Sequence, residues 1–281
     1  MEIFLDCLPC FLRQSLEAAR IATVDEKMQI KIMEEAIKLV TDFKNYKNSP
    51  ELAYEIHEII KSYTGIEDLY KDVKKSDIAI AKELYPLLEN CINKNNSIRT
   101  ALKISALGNN IDSAVYYNLN IKECIEKEID RDFSICDLEL LEEKLKTAKT
   151  LLIIGDNSGE TVFDKILIKK LNLKTYYTVR NQPILNDATM QDAIDSGLDE
   201  VSEIISSGCN CPGLVLSKCS EDYLKLLNSA DIVISKGQGN FEAISGAKRG
   251  IFYLLKAKCT MVAKELNAGL NDYVFKYYKD K

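Results

Sequence analysis

What the chain has little of excludes several kinds of site. It contains no tryptophan, five prolines and one histidine among 281 residues. With His57 as the only imidazole, a histidine-based catalytic or metal-binding triad cannot be built. Any catalytic metal should therefore rely on oxygen ligands, which suit hard cations. The surroundings of His57, Glu55-Ile56-His57-Glu58, predict a position on the surface of a helix.

Long apolar runs and an excess of basic residues are absent as well. No stretch approaches the ~18–20 apolar residues that span a bilayer, and the opening MEIFLDCLPCFLRQSLEAAR lacks the basic start and apolar run of a secretion signal. The formal charge of -6 argues against nucleic acid and anionic membrane as partners, because phosphate backbones demand clustered Lys and Arg. These absences predict a cytoplasmic protein that binds neither.

Cysteine, by contrast, is abundant, at nine residues. An odd count and no secretion signal argue against a disulfide framework. Cys7 and Cys10 form a C-x-x-C and Cys209 and Cys211 form a C-x-C, so four thiolates could hold a structural Zn²⁺ or an iron–sulfur cluster. The alternative is two reduced, partly buried pairs. The other five are expected to behave as small apolar residues: Cys91, Cys124, Cys136, Cys219 and Cys259.

The apolar pattern divides the chain into two halves. From residue 9 to residue 146 apolar residues recur at helical spacing, as in Met33, Ala36, Ile37 and Val40, which predicts a helical bundle domain over residues 1–146. After residue 147 short runs rich in β-branched and aromatic residues alternate with helical stretches. This pattern predicts an α/β domain over residues 147–281, a three-layer α/β/α, Rossmann-like unit around a mostly parallel sheet.

The predicted strands of this second domain share a short, apolar character, and the last of them is expected at an edge of the sheet. They are Thr150 to Ile154, Thr175 to Val179, Glu203 to Ile205, Asp231 to Ser235, Gly250 to Leu255 and Tyr273 to Tyr277. The stretches Glu160 to Leu171 and Ala188 to Gly197 are long enough for crossover helices.

Three polar loops follow predicted strands. They are Gly155-Asp156-Asn157-Ser158-Gly159-Glu160, Arg180-Asn181-Gln182-Pro183-Ile184-Leu185-Asn186-Asp187 and Lys236-Gly237-Gln238-Gly239-Asn240-Phe241-Glu242. Ligands bind beyond the carboxyl ends of parallel strands, so these loops should share one crevice. Carboxylate and carboxamide oxygens there can hold Mg²⁺ or a similar ion, and backbone N–H groups at a helix start can receive phosphate. Such a combination favours phosphoryl chemistry.

Each loop also has a reading without a ligand. Asp187 before Ala188-Thr189 could be a helix N-cap, Lys236 a solvated loop lysine, and Glu160 a first-turn carboxylate that complements the helix dipole. Neither G-x-G-x-x-G nor G-x-x-x-x-G-K-[ST] occurs, which removes support from dinucleotide and P-loop sites. Convergence of the three loops is what favours a functional site.

At these residues the sequence resembles the family once called domain of unknown function 89 (DUF89), now described as damage-control phosphatases with an ARMT1-like metal-binding domain. Gly-Asp-Asn-Ser-Gly-Glu, Pro-Ile-Leu-Asn-Asp-Ala-Thr and Lys-Gly-Gln-Gly-Asn-Phe-Glu occur in the family's order. Gly108-Asn109-Asn110-Ile111-Asp112 matches the family's Gly-Asn-x-x-Asp element. The Cys7-Leu-Pro-Cys10 pair is typical of its compact prokaryotic branch.

The resemblance implies one Mg²⁺, Mn²⁺, Co²⁺ or Ni²⁺ ion at Asp156, Asn157 and Asp187. It also implies phosphate contacts from Lys236 and from the helix after Gly159, with Glu160 as a general base or supporting group. The substrate would be a small phosphorylated metabolite, such as a sugar phosphate or a pantetheine-like phosphate. Further contacts are expected from the residues around the crevice, namely Ser158, Gly159, Arg180, Asn186, Gly239, Asn240, Asn109 and Asp112.

Two rival functions belong to other classes. A strand followed by an acidic, glycine-rich turn can hold S-adenosylmethionine, which would make the chain a methyltransferase. A non-catalytic metal or redox-sensing protein built around the cysteines is the second rival. Whether an activated water or a carboxylate would attack the phosphate is left open, as is the oligomeric state.

Overall fold

A computed structural model describes residues 1–110 and 121–278 of the chain. Within these ranges the helices are bounded as follows: α1 Cys7–Ala22, α2 Glu26–Thr41, α3 Ser49–Thr64, α4 Lys71–Lys94, α5 Ile98–Leu107, α6 Ile121–Glu128, α7 Leu138–Leu145, α8 Glu160–Leu171, α9 Met190–Asp195, α10 Glu221–Ser229, α11 Gln238–Ile244 and α12 Thr260–Leu266. The strands are β1 Phe133–Cys136, β2 Thr150–Ile154, β3 Lys174–Val179, β4 Glu203–Ser206, β5 Ile232–Lys236, β6 Ile251–Lys256 and β7 Tyr273–Tyr278.

Side-chain chemistry accounts for several helix ends. Asp25 accepts a hydrogen bond from the N–H of Lys27 at the start of α2, and Asn48 accepts one from the N–H of Glu51 at the start of α3. These bonds satisfy amides that a helix leaves without intrahelical partners.

The seven strands form one sheet in the order β1-β7-β6-β5-β2-β3-β4. All neighbours are parallel except β6 and β7, which run antiparallel. The prediction of a mostly parallel sheet in an α/β fold is confirmed. Helices lie on both faces of the sheet. In β2, Leu151 and Ile153 belong to one apolar cluster and Leu152 and Ile154 to another. Both faces of the sheet are therefore buried, as a three-layer arrangement requires.

The helices divide between these clusters and a third one. α4, α5 and α8 contribute Ala81, Leu102 and Phe163 to the cluster on one face of the sheet. α10, α11 and α12 cover the other face. The first three helices pack mainly on each other, through Phe11 and Ile32 among others. The helical half thus supplies both a separate bundle and part of the layer that covers the sheet.

Three details differ from the sequence-based expectation. The predicted edge strand, β7, lies inside the sheet between β1 and β6. The sheet also takes its first strand, Phe133–Cys136, from residues before 146, so a division at that residue would separate β1 from its sheet. His57 is buried on α3, at 8% exposure, and burial lowers its pKa to about 4.

Within the described residues, no helix is both long and apolar enough to cross a membrane.

The interior position of β7 predicts a large cost for truncating its core side chain. Phe275 is fully buried, and its ring stacks on Phe252 with the centroids 5.1 Å apart. Phe275→Ala should lower the free energy of unfolding by ~3–5 kcal/mol, because it leaves a cavity in the core. Urea unfolding measures this, with Tyr278→Ala at the half-buried end of the strand as the control. Equal, small losses in both variants would contradict the interior placement.

Candidate active site at the carboxyl ends of β2, β3 and β5

The loops after β2 and β3 are joined by backbone hydrogen bonds. Asn157 and Asp187 form an isolated antiparallel bridge. The N–H of Ala188 donates to the carbonyl of Asp156 over 2.8 Å, and the N–H of Ser158 donates to the carbonyl of Asn186 over 2.9 Å. The backbones of the three predicted metal ligands are thereby held beside one another.

Two carboxylates are buried together in this arrangement. The side chains of Asp156 and Asp187 are 12% and 5% exposed. Arg180 lies against both, with Nε donating to Asp187 Oδ2 over 2.6 Å and Nη2 lying 3.9 Å from Asp156 Oδ1. Burial, and then repulsion from Asp187, raises the pKa of Asp156 to about 7 despite the nearby cations. The guanidinium of Arg180 therefore offsets only part of the free-energy cost of burying two carboxylates side by side.

This donor set fits a divalent cation. In the predicted ligand set, Asp156 and Asp187 would supply carboxylate oxygens and Asn157 a carboxamide oxygen, the hard ligands that Mg²⁺ and similar ions prefer. A cation between the carboxylates would remove the repulsion that raises the pKa of Asp156. Within residues 1–110 and 121–278, no group of three or more Cys, His, Asp or Glu side chains is placed to hold a metal. The fit rests on two carboxylates and a carboxamide.

Asp187 is not a helix cap in this structure. α9 begins at Met190, and its N-cap is Thr189, whose side chain accepts from the N–H of Asp192 while the Asp192 side chain accepts from the N–H of Thr189. This reciprocal capping box satisfies the start of the helix without Asp187. The carboxylate is left facing Arg180.

The third loop approaches the carboxylates through a glycine. Gly237 adopts a φ of 75°, a conformation that favours glycine. A Cβ at this position would overlap the carboxylate of Asp156. The loop after β5 can therefore approach the loop after β2 this closely only because residue 237 has no side chain.

Lys236 lies beneath this crevice and is fully buried. Its ammonium donates to Glu160 Oε1 over 2.8 Å, to Asp164 Oδ1 over 2.6 Å and to the carbonyl of Ser105 over 3.2 Å. These bonds engage its three N–H donors. The solvated-lysine reading is thus wrong, and a direct phosphate contact would require Lys236 to give up one of these bonds.

Glu160 is the first residue of α8 and is 1% exposed. Burial raises its pKa to about 7, with Lys236 opposing the shift and Asp164 adding to it. Among the described residues Glu160 Oε2 has no hydrogen-bond partner. Its Cγ packs so close to Gly108 that a Cβ there would come within 2.7 Å. Glu160 is therefore more than a solvated first-turn carboxylate.

The helical half reaches the site through Asn109. Its Nδ2 donates to Asp156 Oδ2 over 3.3 Å, and its carbonyl accepts from Lys258 Nζ over 3.0 Å. This placement agrees with a residue that closes the crevice from the helical side. Asp112, predicted to act with it, lies outside the described residues.

Several predicted substrate contacts are buried structural groups. Asn240 is fully buried, with Nδ2 donating to the carbonyls of Gly155 and Lys236 and Oδ1 accepting from Arg180 and from the N–H of Leu214. It thus ties together the loops after β2, β3 and β5.

The loop after β2 has similar supports. Ser158 Oγ donates to the carbonyl of Asn186 over 3.0 Å. Gly159 packs on Asp77 of α4, where a Cβ would meet that side chain at 3.0 Å. Gly239 packs against the carbonyl of Pro212. Ser158 and Gly159 thus fix the loop after β2, and Gly239 fixes the start of α11.

Sequence reasoning missed Asp164 and Ser105. Asp164 accepts from Lys236, from Tyr177 Oη over 2.8 Å and from Ser105 Oγ. Its spacing of four residues from Glu160 places both carboxylates on one face of α8, which is a signal that the sequence carried. The partners on α5 and β3 come from distant segments, so no local pattern revealed them.

The two cysteine pairs lie in different apolar clusters. Cys209 and Cys211 are fully buried and pack with Val215 and Cys219. Cys7 packs against the cluster of α1 to α3. A shared metal site is therefore not assembled in this structure. The structure describes the side chains of eight cysteines, and all eight are free thiols.

Ionisation of Asp156 predicts a pH dependence of stability. An unfolded aspartate releases its proton near pH ~4, whereas Asp156 holds it to about pH 7. The folded state therefore binds more protons between these values, so the free energy of unfolding of metal-free protein should fall as the pH rises through this range.

Asp156→Asn should reduce this fall of the free energy of unfolding with pH. Mg²⁺ should raise the melting temperature of the wild type more at pH 8 than at pH 5, because the ion and the proton compete for the same carboxylates. Thermal unfolding measures both effects, with the exposed Asp199→Asn as the control. An Asn variant with the same pH slope and Mg²⁺ response as the wild type would contradict the assigned cause.

Comparison with known proteins places the chain among relatives that share its full length. A model of the damage-control phosphatase ARMT1-like domain matches residues 3–274. The chain is 32% identical to damage-control phosphatase PH1575 of Pyrococcus horikoshii, over 95% of this chain and 94% of that one. It is 29% identical to a damage-control phosphatase of Archaeoglobus fulgidus, over 98% of this chain and 99% of that one.

Solved structures lead to the same group. The crystal structure of a DUF89 family protein from Pyrococcus horikoshii matches with a TM-score of 0.88 at 31% identity, covering 100% of both chains. The family resemblance noted from the motifs is confirmed. The chain belongs to the damage-control phosphatase ARMT1-like, or DUF89, family.

Proposed function

We propose that this protein is a divalent-metal-dependent phosphomonoester hydrolase that acts on a small phosphorylated metabolite. Two of its relatives are named damage-control phosphatases, which supports a phosphatase. The observation that carries the metal dependence is the burial of Asp156 beside Asp187, bridged through Asn157. The ion, Mg²⁺, Mn²⁺, Co²⁺ or Ni²⁺, would supply Lewis-acid stabilisation of charge on the phosphoryl oxygens.

Buried donors beside the carboxylates support an anionic ligand. Among the described residues, Arg180 Nη1 and Asn186 Nδ2 are buried without a hydrogen-bond partner. Leaving such donors unpaired is costly, and phosphate oxygens are acceptors for both. The N–H groups of Glu160 and Thr161 at the start of α8 already donate to the carbonyls of Asn157 and Ser158, so they are not counted among these donors.

Glu160 is the proposed general base. Its pKa of about 7 matches the value that favours proton transfer near neutral pH. In the proposed step Glu160 takes a proton from a water while the water oxygen bonds to phosphorus. The ester P–O bond breaks, and the departing alkoxide gains a proton from solvent. Lys236 acts by holding Glu160 in place and by its charge, since its donors are already engaged.

The proposed substrate class is a sugar phosphate or a pantetheine-like phosphate, and the proposed setting is metabolite damage control in the cytoplasm. No nucleic acid or membrane partner is part of this proposal. The acidic balance of the chain, with 43 Asp and Glu against 37 Lys and Arg, supports that view.

The metal site is tested by phosphate release from metal-stripped protein. With Mg²⁺, Mn²⁺, Co²⁺ or Ni²⁺ added in turn to a panel of sugar phosphates, phosphopantetheine and nucleotides, the wild type should release inorganic phosphate only when an ion is present. Asp156→Ala and Asp187→Ala should fall to the background rate, whereas Asp199→Ala should keep wild-type turnover. Methyl transfer from S-adenosylmethionine without phosphate release would sink the proposal.

The role of Glu160 predicts a pH signature. At saturating metal, wild-type kcat should rise as the pH increases through about 7, because the base must lose its proton. Glu160→Gln should lower kcat by ~10²–10⁴-fold and remove this rise of kcat with pH. Asp164→Asn, which alters the other carboxylate on Lys236, should mainly lower the melting temperature. A Gln variant whose kcat still rises through pH 7 would exclude Glu160 as the base.

A further inference from the structure

A cavity of about 500 Å³, called here the α5 cavity, lies against α4, α5 and the start of β1. It is lined by Leu87 of α4, by Arg99 and Lys103 of α5 and by Phe133 of β1, among others. Of the residues that the structure describes, none that lines it belongs to the candidate active site. The volume lies within the ~300–1,000 Å³ typical of small-molecule pockets. The α5 cavity is therefore large enough for a small organic molecule and separate from the carboxylate pair.

The lining of the α5 cavity includes a buried ammonium without a hydrogen bond. Lys103 is 4% exposed, and its Nζ is buried with no hydrogen-bond partner among the described residues. An ammonium carries three N–H donors, and burying them without acceptors is costly. Lys103 therefore favours a ligand that brings hydrogen-bond acceptors.

Two aromatic rings face this ammonium. Lys103 Nζ lies 3.8 Å from the centroid of the Tyr273 ring and 4.5 Å from that of the Phe133 ring. Ring faces attract a cation, but they are weak acceptors for its N–H groups. The rings thus hold the charge in place and leave its donors available to an oxygen ligand.

Burial also acts on the ionisation of this amine. It lowers the pKa of Lys103 to about 8. Glu128 opposes this shift, whereas Arg131 and Arg99 add to it. The amine therefore still carries its charge at neutral pH, and nearby carboxylates offset only part of the cost of burying it.

The carboxylates of this region are bonded to two arginines. Asp132 lies 2.8 Å from Arg99 Nη2, Asp272 lies 3.1 Å from Arg131 Nη2, and Glu128 lies 3.5 Å from Arg131 Nη1. Each guanidinium has five N–H donors, and the two arginine side chains are 45% and 38% exposed. Both arginines therefore keep donors for a further ligand.

The same two arginines gather with Lys103 around the aromatic rings. Arg99 Cζ lies 6.0 Å from the centroid of Phe133, and Arg131 Cζ lies 5.7 Å from that of Tyr273. The other charged residues of the described lining are one cation and three acids, Lys94, Glu126, Asp130 and Asp132. The described lining thus carries four cations against three acids. This excess of positive charge, with its least compensated member buried, favours an anion.

We propose that the α5 cavity binds a small organic anion, whose phosphate or carboxylate oxygens accept hydrogen bonds from Lys103 Nζ. The spare donors of Arg99 and Arg131 add bonds to this ligand, because a guanidinium matches the geometry of either group. The anion supplies the acceptors that a buried ammonium requires and offsets its desolvation. This binding site is additional to the proposed phosphatase function and does not depend on it.

Calorimetry of the Mg²⁺-loaded protein tests the site, with sulfate and succinate as probes at fixed ionic strength. Sulfate represents a phosphate group and succinate a carboxylate, so the two titrations separate the possible sources of the oxyanion. The wild type should bind at least one of them. Lys103→Met should raise the Kd by ~10-fold or more, because it removes a charge-assisted hydrogen bond.

Lys174→Met is the matched control for this titration. Lys174 also lies over an aromatic ring, with Nζ 4.8 Å from the centroid of Tyr176, but it is exposed at the start of β3. Its variant should keep the wild-type Kd. No saturable binding of either anion by the wild type, or identical titrations of the wild type and Lys103→Met, would overturn the proposal.

Thermal unfolding of the same variant tests the premise that Lys103 has no stabilising hydrogen bond. Lys103→Met replaces a buried charge by an apolar side chain of similar length, so its melting temperature should equal or exceed that of the wild type. This result would also show that a loss of binding is not a loss of fold. A lower melting temperature would contradict the premise.

Crystals soaked in selenate locate the anion, because selenate has the shape of sulfate and its selenium scatters anomalously. The wild type should show a peak in the α5 cavity with a selenate oxygen ~2.7–3.2 Å from Lys103 Nζ, and Lys103→Met crystals should lack it. If the peak appears only at the carboxylate pair, the site in the α5 cavity is refuted, and the proposed phosphatase function still stands.

Discussion

The close burial of Asp156 and Asp187 is the constraint on which the rest of the site depends. Two carboxylates out of water repel each other, and Arg180 donates to Asp187 and lies 3.9 Å from Asp156. The fold holds them together through the backbone bridge at Asn157 and Asp187. Protons or a divalent cation can offset the remaining cost, and this links stability, pH and metal binding in a single pair of side chains.

Around this pair the fold uses buried polar networks to fix geometry. Asn240 joins the ends of β2, β3 and β5 and the loop after β4 through four hydrogen bonds. Lys236 holds Glu160 and Asp164 on one face of α8. Buried polar groups of this kind are stable only when their partners are present. The crevice is therefore positioned by side chains that do not need to touch a substrate.

Much of the fold and the outline of the site could be read from the sequence. Strands such as Thr150–Ile154 are short β-branched runs followed by glycine turns, and local spacing alone identifies them. The interior place of Tyr273–Tyr278 could not be read, because pairing order is set by tertiary packing. Likewise, Lys236 is recognisable as a loop cation, but its burial depends on Asp164 and Ser105 from distant segments.

The most direct test of the account is the location of the metal itself. Crystals of the protein soaked in Mn²⁺ and measured at an anomalous wavelength should show one strong peak, bound by oxygens of Asp156, Asn157 and Asp187 at ~2.0–2.6 Å. The same peak should be absent from Asp156→Asn crystals. A wild-type peak at the cysteines instead, or none at the carboxylates under saturating Mn²⁺, would contradict the central claim.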